Sequence, residues 1–181
     1  ARRREAPPEA VATRGISDLD LEDAALAGQA GYRVKLLGRA LRLPDGRAAA
    51  YVAPHLVPAA SPLAGVDDVF NGIMIRGNAV GDVMFYGQGA GALPTASAVV
   101  GDVLDALAHR EKRRSLGWSQ RAELADVETE LSMRWYLRGD GVPADKRFPG
   151  RAYITPEAMT AREAKALAQK TGAQALLPVL D

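Results

Sequence analysis

The sequence predicts an α+β fold in which a mostly antiparallel sheet carries helices on one face and is followed by a small α/β tail. Three observations support this prediction. Apolar and β-branched runs separated by Gly, Pro and Asp turns fill the middle of the chain, and helical patterns flank that region. A further strand–helix–strand pattern then follows near the C-terminal end.

The first predicted element is a helix. The acidic segment 17–20 offers several N-cap residues, and the acidic side chains of Glu22 and Asp23 favour a helix N-terminus electrostatically. Gly31 is a typical residue for ending a helix. The sequence therefore predicts a helix over about 20–30.

Four strands are predicted after this helix, as one antiparallel meander. The apolar pattern places them at 32–43, 47–53, 68–76 and 82–86. The turn residues Pro44-Asp45-Gly46 join the first pair, and Gly77-Asn78 joins the second. Pro54, Pro58 and Pro62 mark the connection between the pairs, which we do not expect to be a central strand.

The segment after the fourth strand is rich in glycine, with Gly87, Gly89 and Gly91 within five residues. Such a turn lets the backbone approach a ligand closely, and the first N–H groups of a helix predicted at 96–110 can meet an anion. The alternative is a tight turn with a purely structural role. It is not a dinucleotide fingerprint, because G-x-G-x-x-G requires glycine where Ala92 stands.

The remaining part of the chain predicts a polar linker and a small tail. The tail contains strands at 133–137, 151–155 and 173–179, a loop at 139–150 and a helix at 160–170. These patterns divide the chain into a first domain at 1–112, a linker at 113–130 and a tail domain at 131–181.

The composition excludes several functional classes. With 23 basic and 22 acidic residues the formal net charge is +1, which gives no support to nucleic-acid binding. The absence of cysteine excludes thiol chemistry, and His55 and His109 have no metal-binding spacing, so no metal site is predicted. No apolar run is long enough to span a bilayer, and the Arg-rich start is not a signal peptide. We therefore expect a cytoplasmic protein with no membrane partner.

Three polar residues suggest catalysis but have simpler explanations. Lys35 is the only lysine in the first hundred residues, yet its position in an alternating strand favours a structural or interfacial role. His55 lies in the proline-rich connection, where a local hydrogen bond explains it better than a role as general acid. Asn71 lies in an apolar strand, where a buried amide needs a partner, so we expect it to tie down a neighbouring loop.

Several motifs occur in a specific order along residues 8–110. They are RGISDLDLEDAALAGQAGYRVKLLGRA, VAPHLVP, SPLAGVDDVFNGIMIRG and FYGQGAGALPTASAVVGDV. Together they resemble the second half of bacterial homoserine dehydrogenase. The tail from about Met133 resembles the ACT regulatory domain of that family. It lacks the usual first helix and second strand, because only a short loop separates MRWYL from GRAYITPE.

The resemblance implies NAD(P)H-dependent interconversion of L-aspartate 4-semialdehyde and L-homoserine, in the biosynthesis of threonine, methionine and isoleucine. It places the catalytic lysine and the substrate-binding carboxylates just before Gly15, in a part of the family pattern that this sequence does not carry. No catalytic residue is therefore assigned, and the chain alone is expected to be inactive. The implied cofactor contacts are Gly91, Gly89 and Ala90, beside the nicotinamide of NADP or NAD bound mainly by an N-terminal nucleotide-binding domain.

The resemblance also implies a homodimer that needs a nucleotide-binding domain or chain for activity on its small-molecule substrate. The strands at 32–43 and 68–76 carry apolar residues on both faces, which is typical of an interface. We therefore expect a two-fold dimer through the sheet built from 32–43, 48–53, 68–76 and 82–86. The alternative is a non-catalytic regulatory or dimerisation module derived from the same family, with no redox chemistry.

Overall fold

The computed structural model describes residues 3–5, 7–17, 19–110, 118–121, 124–148 and 151–181. Its helices are α1 (Leu21–Gln29), α2 (Ala92–Ala108), α3 (Val127–Glu130) and α4 (Ala161–Thr171). Its strands are β1 (Arg3–Glu5), β2 (Ala12–Thr13), β3 (Tyr32–Arg42), β4 (Ala48–Pro58), β5 (Phe70–Gly77), β6 (Gly81–Gln88), β7 (Trp118–Arg121), β8 (Ser132–Met133), β9 (Trp135–Arg138), β10 (Ala152–Ile154), β11 (Met159–Thr160) and β12 (Ala175–Pro178). The predicted α+β class is confirmed. Among the described helices, none is long and apolar enough to cross a membrane.

Helix α1 begins and ends where the sequence predicts. The Asp20 carboxylate accepts a hydrogen bond from Glu22 N at 3.2 Å, and Asp20 N donates to the Asp23 carboxylate at 3.3 Å. The second bond belongs to a reciprocal capping box in which the backbone N–H of Asp23 in turn donates to the Asp20 side chain, so N–H groups at the helix start are satisfied. Gly31, which follows the C-cap residue, has a φ of 80° and so turns the chain out of the helix.

Strand β4 is the centre of a three-stranded sheet with the order β2-β4-β3. It pairs antiparallel with β3 along its whole length, from Tyr32 opposite Pro58 to Arg42 opposite Ala48. The predicted turn at 44–46 joins the two strands. The expectation that the prolines end this strand is wrong, because β4 continues through Pro54 to Pro58.

The direction of the backbone groups in β4 explains why the prolines are tolerated. Val52 O accepts a hydrogen bond from Arg14 N, and Leu56 O accepts one from Leu180 N, both at 2.8 Å. The backbone N–H and C=O groups of successive residues point in alternate directions along a strand. The even-numbered residues of β4 therefore direct their N–H and C=O groups away from β3. A proline at 54 or 58 therefore removes no donor from the β3–β4 ladder.

Strands β5 and β6 form a separate two-stranded ribbon, so the prediction of one four-stranded meander is wrong. The connection from β4 contains a 3₁₀-helix, Pro62–Gly65, that contacts both β3 and β4. One face of the ribbon packs on this connection. A Cβ on Gly72 would lie 2.7 Å from Met84 Cε and 2.8 Å from Val66 Cγ2.

The tail folds around β9, which lies between β10 and β12 in an antiparallel sheet. The predicted strand at 133–137 is divided into β8 and β9, and the predicted helix near 160–170 is α4, capped by Thr160 and ended by Gly172 at a φ of 61°. In the predicted linker, the structure contains β7 and α3, while residues 113–117 and 122–123 lie outside the described residues.

The main hydrophobic core joins the first part of the chain to the tail sheet. Its buried members are Leu26 and Ala27 of α1, Leu56 of β4, and Tyr136, Phe148, Ala152, Ile154, Ala175, Leu177 and Val179. A second cluster packs Tyr51 and Ala53 of β4 against Trp135, Leu137 and Ala164. The tail sheet therefore has apolar neighbours on both faces, and β4 contributes to each cluster.

A buried ion pair connects α1 to β9 within this core. Asp23 is 1% exposed and Arg138 is 4% exposed. Arg138 Nε donates to Asp23 Oδ1 at 2.6 Å and its Nη2 donates to Oδ2 at 3.2 Å, while the Tyr136 hydroxyl donates to the same carboxylate at 3.1 Å. The Asp23 carboxylate thus accepts three hydrogen bonds from β9 of the tail sheet.

We predict that Asp23→Ala destabilises the chain by about 3–5 kcal/mol, because the Arg138 guanidinium loses its buried partner and is left with ion pairs to the more exposed Glu22 and Asp20. The variant also loses the Asp23 half of the α1 capping box. Urea unfolding measures this loss. The matched control is Glu22→Ala, which removes partly exposed ion pairs to Arg138 and Arg151 from the same helix and should cost about 1 kcal/mol or less. Similar losses of unfolding free energy in the two variants would contradict a larger contribution of the buried pair to stability.

Candidate functional site

The glycine turn, residues 87–91, connects the end of β6 to α2 and is exposed. Gly91 is the N-cap of α2, with a φ of 118° and no side-chain cap. The helix begins at Ala92, four residues earlier than predicted. The three predicted cofactor contacts, Gly89, Ala90 and Gly91, therefore lie side by side in one short stretch of backbone.

The structural environment that glycine occupies differs among the three glycines of this turn. Gly91 needs its left-handed φ, which other residues adopt only with strain. Gly89 lies under the Asn71 side chain: a Cβ there would fall 1.5 Å from the Asn71 amide nitrogen, so the amide would have to move. Gly87 has neither requirement: its φ is not positive and a Cβ would meet nothing within 4 Å. The fold itself thus gives no reason for glycine at position 87.

Asn71 was missed as a site residue, and the expectation that it is buried is wrong. It lies in β5 directly opposite Gly87 of β6, and its side chain is exposed over the glycine turn. The alternation of side chains along the strand places Asn71 on the same face as Ile73 and Ile75, and this pattern could have identified the face on which it lies.

A chain of backbone and side-chain contacts holds the turn in place. Lys35 Nζ donates to Val66 O at 2.6 Å and to the Asp67 carboxylate at 2.5 Å. Three residues after Val66, the carbonyl of Val69 accepts a hydrogen bond from Gly89 N at 3.2 Å. Lys35 therefore ties β3 to the segment that anchors the glycine turn, in agreement with a structural role for this lysine.

His55 lies in β4 rather than in a connection, and it is fully buried away from the glycine turn. Its Nδ1 lies 2.8 Å from Ala53 O, and its Nε2 lies 3.1 Å from the Tyr51 hydroxyl. Because a carbonyl only accepts, Nδ1 carries the proton and Nε2 accepts from Tyr51. Burial lowers the pKa of His55 to about 4, so the ring is neutral near pH 7.

We predict that stability falls as the pH falls from 7 to 5, because the unfolded chain binds a proton at His55 that the folded chain excludes. The ordinary pKa is about 6.5 and the folded pKa about 4, so the loss over this range is about 2 kcal/mol. Urea unfolding at both pH values measures it. His55→Gln should abolish this part of the dependence, whereas His109→Gln at the end of α2 should keep it. An unchanged slope in His55→Gln would contradict the assignment.

The arrangement defines an α+β protein whose candidate site is exposed backbone between a strand and a helix. Within the described ranges, no three metal-ligating side chains converge. Comparison with known proteins identifies the family. The family model for homoserine dehydrogenase matches residues 1–104, more than half of the sequence, and the chain belongs to this family.

Individual relatives agree with this family. The homoserine dehydrogenase of Neisseria gonorrhoeae is 39% identical over 132 residues, which cover 68% of this chain and 30% of the relative. That of Corynebacterium glutamicum is 40% identical over 136 residues, covering 72% of this chain and 31% of the relative. The chain thus spans about a third of the length of these relatives.

Solved structures extend the likeness to nearly the whole chain. The homoserine dehydrogenase of Thiobacillus denitrificans is similar with a TM-score of 0.76 and 26% identity, covering 96% of this chain and 48% of that one. The S. aureus homoserine dehydrogenase gives a TM-score of 0.67 and 28% identity, with the same coverage. The similarity therefore includes the tail, and the chain spans about half of these structures.

Proposed function

We propose that this chain is part of a homoserine dehydrogenase that interconverts L-aspartate 4-semialdehyde and L-homoserine with NAD(P)H. The observation that carries the proposal is the family match over residues 1–104, which includes the glycine turn. The relatives that bear this name come from several bacteria and support an enzyme rather than a non-catalytic module. The pathway role is amino-acid biosynthesis in the cytoplasm.

We assign the glycine turn to the nicotinamide end of the cofactor, with Gly91, Gly89 and Ala90 as its contacts. The exposed backbone leaves room for a flat ring, because the space over Gly87 is open and no side chain larger than a methyl group projects from residues 89–91. The Asn71 amide, which lies over Gly89, borders this space. When bound, the cofactor supplies the hydride from nicotinamide C4 to the aldehyde carbon. The turn's own part is to place the ring against fixed backbone.

The other catalytic parts belong to regions of the family that these 181 residues do not span. We propose that a nucleotide-binding domain or chain holds most of the dinucleotide, NADP or NAD. A lysine and acidic residues outside this segment would move the alcohol proton and bind the substrate ammonium group. Consistent with this, the sequence has no lysine before Gly15 and no G-x-G-x-x-G.

We further propose that residues 131–181 form a shortened ACT-like domain after a linker at 113–130, with the first domain at 1–112. The strand order β10-β9-β12 supports this, since β10 and β12 both run antiparallel to β9 and α4 crosses between them. This is the split β-α-β arrangement of ferredoxin-like domains. The missing elements are a helix and an edge strand, as the sequence pattern indicates.

We predict that the purified 181-residue chain does not oxidise NADPH or NADH in the presence of aspartate semialdehyde, because it holds neither the dinucleotide fold nor the catalytic lysine. The complete enzyme that includes this segment should oxidise the cofactor, followed as loss of absorbance at ~340 nm. Turnover by the isolated chain, or a complete enzyme that ignores this substrate, would contradict the proposed function.

We also propose that the chain forms a homodimer through the outer face of the β5–β6 ribbon. This face carries Ile73, Ile75, Val83 and Phe85, all exposed although large and apolar. In a two-fold dimer the same patch of each copy faces that of the other. One apolar stripe per copy is therefore enough to form the interface. The ribbon carries more of the exposed large apolar side chains than the β3–β4 pair, which contributes Leu36.

We predict that the chain has a mass of twice 19.2 kDa in light scattering at micromolar concentration, and that Ile73→Glu shifts it to the monomer mass. The matched control is Ile16→Glu, since Ile16 is 57% exposed and Ile73 is 63% exposed, but Ile16 lies before α1. A wild-type monomer, or the same dissociation in both variants, would contradict the ribbon interface.

A further inference from the structure

Asn71 and Gly87 form a pair that the fold does not explain. They lie opposite each other in β5 and β6, next to the glycine turn. The Asn71 side chain is exposed, and within the described part of the chain its amide has no hydrogen-bond partner. Gly87 leaves open space where any other residue would place a Cβ. The fold thus leaves the donor and the acceptor of this amide available next to open backbone.

The Asn71 amide lies over Gly89. A Cβ on residue 89 would fall 1.5 Å from Asn71 Nδ2, so the amide occupies the space over that glycine. Its surroundings on the outer face are apolar, with Ile73 and Phe85 as the next pair along the ribbon. The amide is therefore the polar group at the boundary between an apolar stripe and bare backbone.

The chemistry of the amide indicates its partner. A primary amide presents N–H donors and a carbonyl acceptor in one plane. A second primary amide matches this pattern with two reciprocal hydrogen bonds. The edge of adenine offers the same donor and acceptor. Of the two, a carboxamide belongs to the nicotinamide ring, which the proposed function places at this turn.

We propose that the Asn71 side chain binds the carboxamide of the nicotinamide ring and that the ring lies over Gly87. This inference rests on the proposed function and adds two residues to the cofactor contacts Gly89, Ala90 and Gly91. Asn71 thereby sets the rotation of the ring about its glycosidic bond, and so the face of C4 that is turned towards the substrate.

The test measures equilibrium binding of the oxidised dinucleotide to the complete enzyme by calorimetry, without turnover. Two analogues separate the possible partners: one replaces the carboxamide by an acetyl group, the other replaces adenine by hypoxanthine. Loss of one hydrogen bond lowers affinity by about five- to tenfold. The wild-type enzyme should bind the acetyl analogue about that much more weakly than the natural dinucleotide.

In Asn71→Ala, the natural dinucleotide should bind about tenfold more weakly and the preference over the acetyl analogue should vanish, while the preference over the hypoxanthine analogue stays. Gly87→Ala should weaken binding of all three with an unchanged melting temperature, because its methyl group enters the ring's space and not the fold's. The matched control is Asn78→Ala in the turn at the other end of the ribbon, which should match the wild type.

The results that overturn the inference are distinct from those that overturn the proposed function. A retained preference over the acetyl analogue in Asn71→Ala, or a lost preference over the hypoxanthine analogue, rejects Asn71 as the carboxamide contact while the enzyme remains a dehydrogenase. Unchanged binding in Asn71→Ala together with a monomer mass in light scattering assigns the residue to the dimer interface instead. If the complete enzyme binds no dinucleotide, both the carboxamide contact and the proposed function are wrong.

Discussion

The buried contact between Asp23 and Arg138 is the interaction on which the arrangement of the chain depends. It joins a carboxylate from the first helix to a guanidinium from the central strand of the tail, 115 residues apart in sequence. Removing two charges from water is costly, and here the cost is offset by two hydrogen bonds within the pair and a third from Tyr136. The same pair orients α1 over the core that β4 and the tail sheet share. The tail is therefore held by directional polar contacts as well as by apolar packing.

A series of contacts connects this core to the glycine turn. Strand β4 supplies side chains to both apolar clusters, and β3 pairs with it over eleven residues. Lys35 of β3 fixes the segment at Val66 and Asp67, and the backbone of Val69 then fixes Gly89. The ribbon beyond this anchor has an exposed apolar face, and every residue of α2 is at least partly exposed. The surfaces proposed for the cofactor and the second copy are thus those that the chain's own core does not cover.

The elements that the sequence predicted correctly carry their signals locally. The capping residues of α1 and α4, the turn at 44–46 and the hairpin at 77–81 are each specified within a few residues. The path of β4 was mispredicted because proline is harmless only when its nitrogen faces away from the paired strand, and that direction depends on the register. The exposure of Asn71 could not be predicted because β5 and β6 form a sheet of their own, and strand pairing between distant segments is not specified locally. At the site, the glycines were visible in the sequence, but the different reasons for Gly87, Gly89 and Gly91 follow only from the three-dimensional neighbours of each.

The central claim is that the glycine turn faces the bound dinucleotide. Hydrogen–deuterium exchange of the complete enzyme, with and without saturating dinucleotide, tests it most directly, because the backbone amides of the exposed residues 87–91 report contact without any substitution. The account predicts that exchange in this turn slows by about tenfold or more on binding, while the hairpin at 77–81, at the far end of the same ribbon, is unchanged. Unaltered exchange at 87–91 in an enzyme that has bound the dinucleotide would contradict the account.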